Sequence, residues 1–113
     1  MRKVKSMKLI IAYIRVDRAV NVMRELYETG VGGITAYVVR GMSGETSTFL
    51  YSKRPFEVNH LPESVKLEIF CSDESIDDIV KLLAETARTG NRGDGMIAVQ
   101  DVEKVLRIRD IET

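Results

Sequence analysis

Ile76-Asp77-Asp78-Ile79-Val80-Lys81-Leu82-Leu83-Ala84-Glu85-Thr86-Ala87 runs directly into Arg88-Thr89-Gly90. Ile76, Ile79, Val80, Leu83, Ala84 and Ala87 recur at i, i+3, i+4, i+7, i+8 and i+11. That spacing lines one stripe of an α-helix, and the stripe must be covered. Asp73 or Ser75 is placed to cap its start, because a short side-chain oxygen accepts from the orphan amides of a first turn. Gly90 is placed to end it in the left-handed conformation. The pair Asp77-Asp78 falls on the outer face and reads as solvated.

Working outward from this helix, Val65, Leu67, Ile69 and Cys71 alternate with Lys66 and Glu68. Period two predicts a strand over 65–71. On the other side, a glycine-rich turn leads to a strand over 96–100 and a last strand over 105–109. Nearer the N-terminus, Leu9 to Ile14 is almost wholly apolar and predicts a strand buried on both faces. Asp17 is placed as an N-cap for a helix carrying Val20, Met23 and Tyr27 at helical spacing, with Gly30 as its stop. Gly32 and Gly33 lead into a strand over 34–40. A long polar segment follows, from Gly41 to Pro62, within which Phe49-Leu50-Tyr51 is long enough for a short strand. Such length without periodicity marks a functional loop. The order strand, helix, strand, strand, helix, strand is the split βαβ pattern. The expected fold is therefore α+β, a ferredoxin-like βαββαβ sandwich with one long loop. Residues 1–6 read as a short extension and 7–113 as one domain.

The 113 residues carry 17 Lys plus Arg against 17 Asp plus Glu, for a formal net charge of zero. A sequence-independent grip on nucleic acid needs an excess of cations facing the phosphates, so no direct nucleic-acid partner is expected. No apolar run approaches the ~20 residues of a membrane-spanning helix. Arg2-Lys3-Val4-Lys5-Ser6 is not followed by the apolar region of a signal peptide. Cys71 is the only cysteine, and a single thiol suits a reducing cytoplasm. It lies on the apolar face of its strand and reads as structural. His60, the only histidine, has no evident orienting partner for acid–base work. Cysteine and histidine show no metal-ligand spacing. No catalytic set and no metal site are expected.

Two constellations remain. In Thr89-Gly90-Asn91-Arg92-Gly93-Asp94-Gly95, three glycines let backbone amides converge on an anion, although a helix stop followed by a turn needs the same residues. It is not a Walker loop, since no Gly-Lys-Ser or Gly-Lys-Thr ends it. In Arg107-Ile108-Arg109, strand alternation would put both guanidiniums on one face, where they would either meet an anion or pair with Glu103 or Asp110.

Taken together, Thr86-Ala87-Arg88-Thr89-Gly90-Asn91-Arg92-Gly93-Asp94-Gly95, continued through Val102-Glu103 to Arg107-Ile108-Arg109, resembles the C-terminal signature of PII-type signal-transduction proteins. The resemblance extends from Met7 to about Arg109, with Gly30, Gly33, Thr35 and Gly41 at matching places. It implies a homotrimer that binds ATP or ADP in clefts between subunits. Gly93, Asp94 and Gly95 would line the phosphates, with Met96 following them and Arg107, Ile108 and Arg109 reaching in. Thr35 would hydrogen-bond the adenine near the backbone around Phe70. Ser43 and Gly44 would approach from the neighbouring subunit. Residues 42–61 would form the effector loop that docks on a target, a membrane transporter or a metabolic enzyme.

Several positions depart from the family pattern. Met96 stands where a phosphate-binding lysine usually follows Gly-Asp-Gly, which brings AMP or ADP forward as ligands; Arg92 is a candidate replacement. No glutamine occurs between Gly41 and Pro62, and Glu63 follows Leu61-Pro62 where the family has a lysine. Binding of 2-oxoglutarate beside the nucleotide in the usual way is therefore not expected. Tyr51 keeps a hydroxyl, but Phe56 takes the place of the family's modifiable tyrosine. Lys53 and Arg54 are candidates for contact with an acidic partner. The competing readings are a small enzyme on a ferredoxin-like scaffold and a trimeric sensor of a non-nucleotide metabolite or anion.

Overall fold

The computed structural model describes residues 6–43 and 57–113. The chain order is β1 (Met7–Ile14), α1 (Ala19–Glu28), β2 (Ile34–Arg40), β3 (Glu63–Ser72), α2 (Ile76–Ala87) and β4 (Gly95–Val102). The strands form one four-stranded sheet in the order β2-β3-β1-β4. Every neighbouring pair is antiparallel. This is the α+β, ferredoxin-like βαββαβ arrangement expected from the pattern.

The core lies between one sheet face and the two helices. Ile10, Ala12 and Ile14 of β1 and Val65, Leu67, Ile69 and Cys71 of β3 are buried there against Val22 and Leu26 of α1 and Ile79, Leu83 and Ala87 of α2. The largest fully buried side chains are Ile10, Leu26, Leu67, Ile69, Leu83 and Val22. Each removes its apolar surface from water and contributes about 1.5–3 kcal/mol. Register follows from period two. Ile10 pairs with Ile69 and Ala12 with Leu67, so a slip of one residue would expose the whole set. Lys8 bonds Asp101 at the end of β4 and lies 3.4 Å from Asp73, which pins the start of β1.

Beside those matches stand several corrections. Residues 9–14 are not buried on both faces: Ile10, Ala12 and Ile14 are covered, while Leu9, Ile11 and Tyr13 are only partly so. The opposite face of the sheet carries no helix, and Tyr37, Phe70 and Met96 are exposed on it by roughly half their surface. Asp17 makes no cap; it lies within a single 3-10 turn, Val16–Arg18, that precedes α1. Asp73 and Ser75 likewise lie in a 3-10 turn before α2, and the side chain of Ser75, at the N-cap position, accepts no capping bond. Gly30 is left-handed at φ 82°, as expected. Gly90 is also left-handed, but α2 has already ended at Ala87, where Arg88 turns extended. Finally, 105–109 is not a strand. The chain leaves β4 at Val102 and makes a 3-10 turn at Ile108–Asp110.

Gly44, the Phe49-Leu50-Tyr51 strand and loop residues Tyr51, Lys53, Arg54 and Phe56 lie outside the described residues, as do residues 1–5. At the base of that loop, Gly41 donates its amide to the Pro62 carbonyl at 3.1 Å. Arg40 closes the same base, donating to the Leu61 carbonyl at 2.9 Å and to Glu63 at 2.6 Å.

Candidate functional site

The segment between α2 and β4 is organised by one carboxylate. Asp94 accepts from the Thr89 amide at 2.9 Å, the Gly90 amide at 2.8 Å and the Thr89 hydroxyl. The Arg15 guanidinium, beyond the end of β1, donates to it at 2.9 Å. A second Arg15 nitrogen donates to the Arg92 carbonyl at 2.6 Å. The Thr89 hydroxyl and the Arg15 guanidinium, followed by the Thr89 and Gly90 amides, hold the Asp94 carboxyl well below the usual carboxylate range. Asp94 therefore stays ionised and fastens the loop from inside, its carboxylate occupied by the loop's own donors. Arg15 is 79 residues away from Asp94 in sequence and was not among the expected residues.

Glycine is required at two points of this loop. Gly93 and Gly95 have φ of 89° and 109°, conformations that cost other residues strain. At Gly95 a Cβ would also fall 1.7 Å from the Tyr13 carbonyl oxygen. β4 thus enters the sheet through a position that only glycine fits.

The expected residues separate into two groups. The first surrounds a cleft of about 440 Å³ between the glycine loop and the base of the long loop, lined by Tyr13, Arg40, Ser43, Glu63, Lys66, Gly93 and Met96 among others. Met96 is 59% exposed, so its thioether occupies the open face beside the loop. The Arg92 side chain is exposed and lies outside the lining of this cleft. Glu63 is paired with Arg40 at 2.6 Å and so is not an isolated anion in this cleft.

The second group surrounds a cleft of about 670 Å³ lined by Met7, Gly32, Gly33, Phe70, Leu106, Arg107 and Arg109, with Val105 and Ile108. Arg107 and Arg109 do share a cleft, but by a 3-10 turn and not by strand alternation. Arg107 packs close to Gly32: a Cβ there would lie 3.3 Å from its Nη2. Arg109 lies 3.8 Å from Asp110 and is 82% exposed. Thr35 faces Glu68 across the β2–β3 ladder, two residues along from Phe70 and on the same helix-free face.

The two clefts are at opposite ends of one sheet. Leu9 pairs with Phe70 near the arginine cleft, while Tyr13 pairs with both Lys66 and Met96 at the glycine-loop cleft. Met7 and Tyr13, which line one cleft each, are six residues apart along β1. At 3.2–3.4 Å per residue that is about 20 Å. A single chain does not bring the expected residues to one point.

Cys71 is buried, and burial together with the nearby Asp73 carboxylate pushes its thiol up. That is the environment of a structural thiol, not of a nucleophile. Among the described residues no cluster of His, Cys, Asp or Glu could hold a metal ion, and no helix is long and apolar enough to cross a membrane.

Comparison with known proteins agrees with this architecture. The sequence profile described as "Nitrogen regulatory protein P-II" matches residues 7–112. The chain is 41% identical over 104 residues to Nitrogen regulatory protein P-II of Pasteurella multocida, covering 91% of this chain and 92% of that one. It is 36% identical over 108 residues to Nitrogen regulatory protein P-II 2 of Methanothermobacter thermautotrophicus, covering 95% and 93%. It is 39% identical over 104 residues to Nitrogen regulatory protein P-II 1 of Escherichia coli, covering 91% and 92%. The chain belongs to the nitrogen regulatory protein P-II family, a family of signal-transduction regulators and not of enzymes.

Proposed function

We propose that this protein is a homotrimeric, cytoplasmic regulator of nitrogen or carbon metabolism that binds an adenine nucleotide, ATP, ADP or AMP, between subunits. The observation that carries this reading is the division of the site. The glycine loop with Ser43 and the arginine pair with Phe70 line two clefts about 20 Å apart along one strand. They lie at opposite ends of one sheet, whose helix-free face carries exposed Tyr37, Phe70 and Met96. Association over that face sets the glycine-loop half of one protomer against the arginine half of the next, as a head-to-tail ring requires.

In that cleft the convergent loop at Gly93–Gly95 receives phosphate, Arg107 and Arg109 supply charge-assisted bonds, and Thr35 and the Phe70 backbone meet the base. Met96 offers the phosphates no cation from β4, which brings ADP and AMP forward beside ATP. The nucleotide then biases the 42–61 loop to the extent that it binds one loop state better than another. A target protein, a membrane transporter or a metabolic enzyme, reads that state. Calorimetric titration with ATP, ADP and AMP tests the reading: saturable heat with at least one supports it, and no heat with any rejects it.

A further inference from the structure

The glycine-loop cleft carries two basic residues among those described, Arg40 and Lys66. They are not equivalent. Arg40 is consumed by the base of the long loop, bonded to the Leu61 carbonyl and to Glu63. Lys66 has no carboxylate partner among the described residues. Its ammonium stands 5.6 Å from the centre of the Tyr37 ring, a cation–π contact that leaves its three N–H donors available. Lys66 faces Tyr13 on the open side of the sheet, and Tyr13 faces Met96 on its other flank. Lys66 and Met96 are therefore two strand spacings apart across the cleft floor, about 9.5 Å. Gly93 lines the same cleft. Two carboxylates of this end of the sheet are already engaged: Asp94 is held by Thr89, Gly90 and Arg15, and Glu63 by Arg40. Glu68, next on the same face of β3, faces Thr35 and accepts from Tyr37.

We infer that Lys66 is the cation that holds the anionic end of the ligand, its outer phosphoryl group, in the cleft between the glycine loop and the base of the long loop. Lys66 thereby supplies from β3 the charge that Met96 does not supply from β4. A compact ammonium on a flexible stem suits this task, since it can leave the Tyr37 face and follow the oxygens. The inference rests on the nucleotide reading above, but it also makes a claim about phosphate chains alone.

Calorimetry on the full chain with ATP, AMP and inorganic triphosphate tests it, comparing the wild-type protein with Lys66→Gln and Lys66→Arg. Lys66→Gln should weaken ATP and triphosphate about tenfold or more, the loss of one charged hydrogen bond, and weaken AMP less. Lys66→Arg should restore most of the binding. Lys66→Met keeps the apolar stem over Tyr37 and gives the same comparison if the glutamine variant does not fold. If ATP binds equally well with and without Lys66, the inference is overturned while the nucleotide reading stands. If wild-type protein binds triphosphate through Lys66 but no adenine nucleotide, the inference stands and the nucleotide reading falls. Binding of neither overturns both.

Discussion

The Arg15 guanidinium and the Asp94 carboxylate meet at 2.9 Å, joining the end of β1 to the loop that opens β4. Both side chains are more than two-thirds buried, at 31% and 24% exposure. The pair fixes the glycine loop to the sheet, so the loop's shape is set before any ligand arrives.

The acid response of the protein should expose this fastening. Asp94 has a folded pKa below its unfolded value of about 3.9. Its contribution to stability is present above the unfolded value and lost as pH falls toward the folded one. Wild-type protein should therefore keep the Asp94 contribution down to about pH 4 and lose it progressively below. Asp94→Asn should melt at a lower temperature than wild type at pH 7, and the gap should narrow as pH falls from 4. Melting curves by circular dichroism across that range check this. A gap that stayed constant with pH would show that the charge of Asp94 is not what holds the loop.

Gly95→Ala should be severely destabilising. The added carbon meets the Tyr13 carbonyl oxygen at 1.7 Å, and the φ of 109° strains any side chain. Overpacking and backbone strain together predict a loss of roughly 2–6 kcal/mol. Gly41→Ala, where nothing lies within 4 Å, should change stability by no more than about 0.5 kcal/mol. Urea denaturation of the two variants side by side is the check.

Cys71 should behave as a core thiol. It is 6% exposed on the buried face of β3, and its raised pKa keeps it protonated at neutral pH. Native protein should resist a neutral alkylating reagent at pH 7 and react fully in urea. Rapid reaction of the native protein would contradict the packing described for β3.

The sequence was most legible where burial is one-sided. The stripe from Ile76 to Ala87 and the alternation from Val65 to Cys71 are each seen in the structure at nearly the expected bounds, because one face of each must be covered. The alternation in Val105-Leu106-Arg107-Ile108-Arg109 looked the same but formed no strand. Period two assigns faces without supplying a neighbour for the ladder, and Ile108 is 89% exposed. The glycine turn at Gly93–Gly95 was readable, because positive φ demands that residue type. Arg15 and Lys66 were not, since a lone cation at a strand end or on an alternating strand looks solvated until the fold brings its partner or its cleft. Lys66 left one signal, its place on the polar side of a half-buried strand facing the base of the long loop.

Met96→Lys should shift ligand preference toward the triphosphate. Position 96 lies on the floor of the glycine-loop cleft and is 59% exposed, so a lysine there is sterically free. One added charged hydrogen bond predicts a gain of about tenfold or more for ATP relative to AMP. Calorimetric competition between the two nucleotides reads the ratio, and an unchanged ratio would place the phosphates elsewhere.

The central claim, one nucleotide site assembled from two protomers, is tested most directly by complementation between two defective chains. Met96→Glu puts a carboxylate into the glycine-loop half, and Arg107→Ala removes a cation from the other half. Each variant alone should bind no adenine nucleotide at the concentration that saturates wild type. Unfolded together and refolded as a mixture, they should recover about a quarter of the wild-type sites, because random assortment in a head-to-tail ring leaves that share of clefts with both halves intact. A mixture that binds no more than its separate components, or chains that remain monomeric while binding normally, would contradict the account.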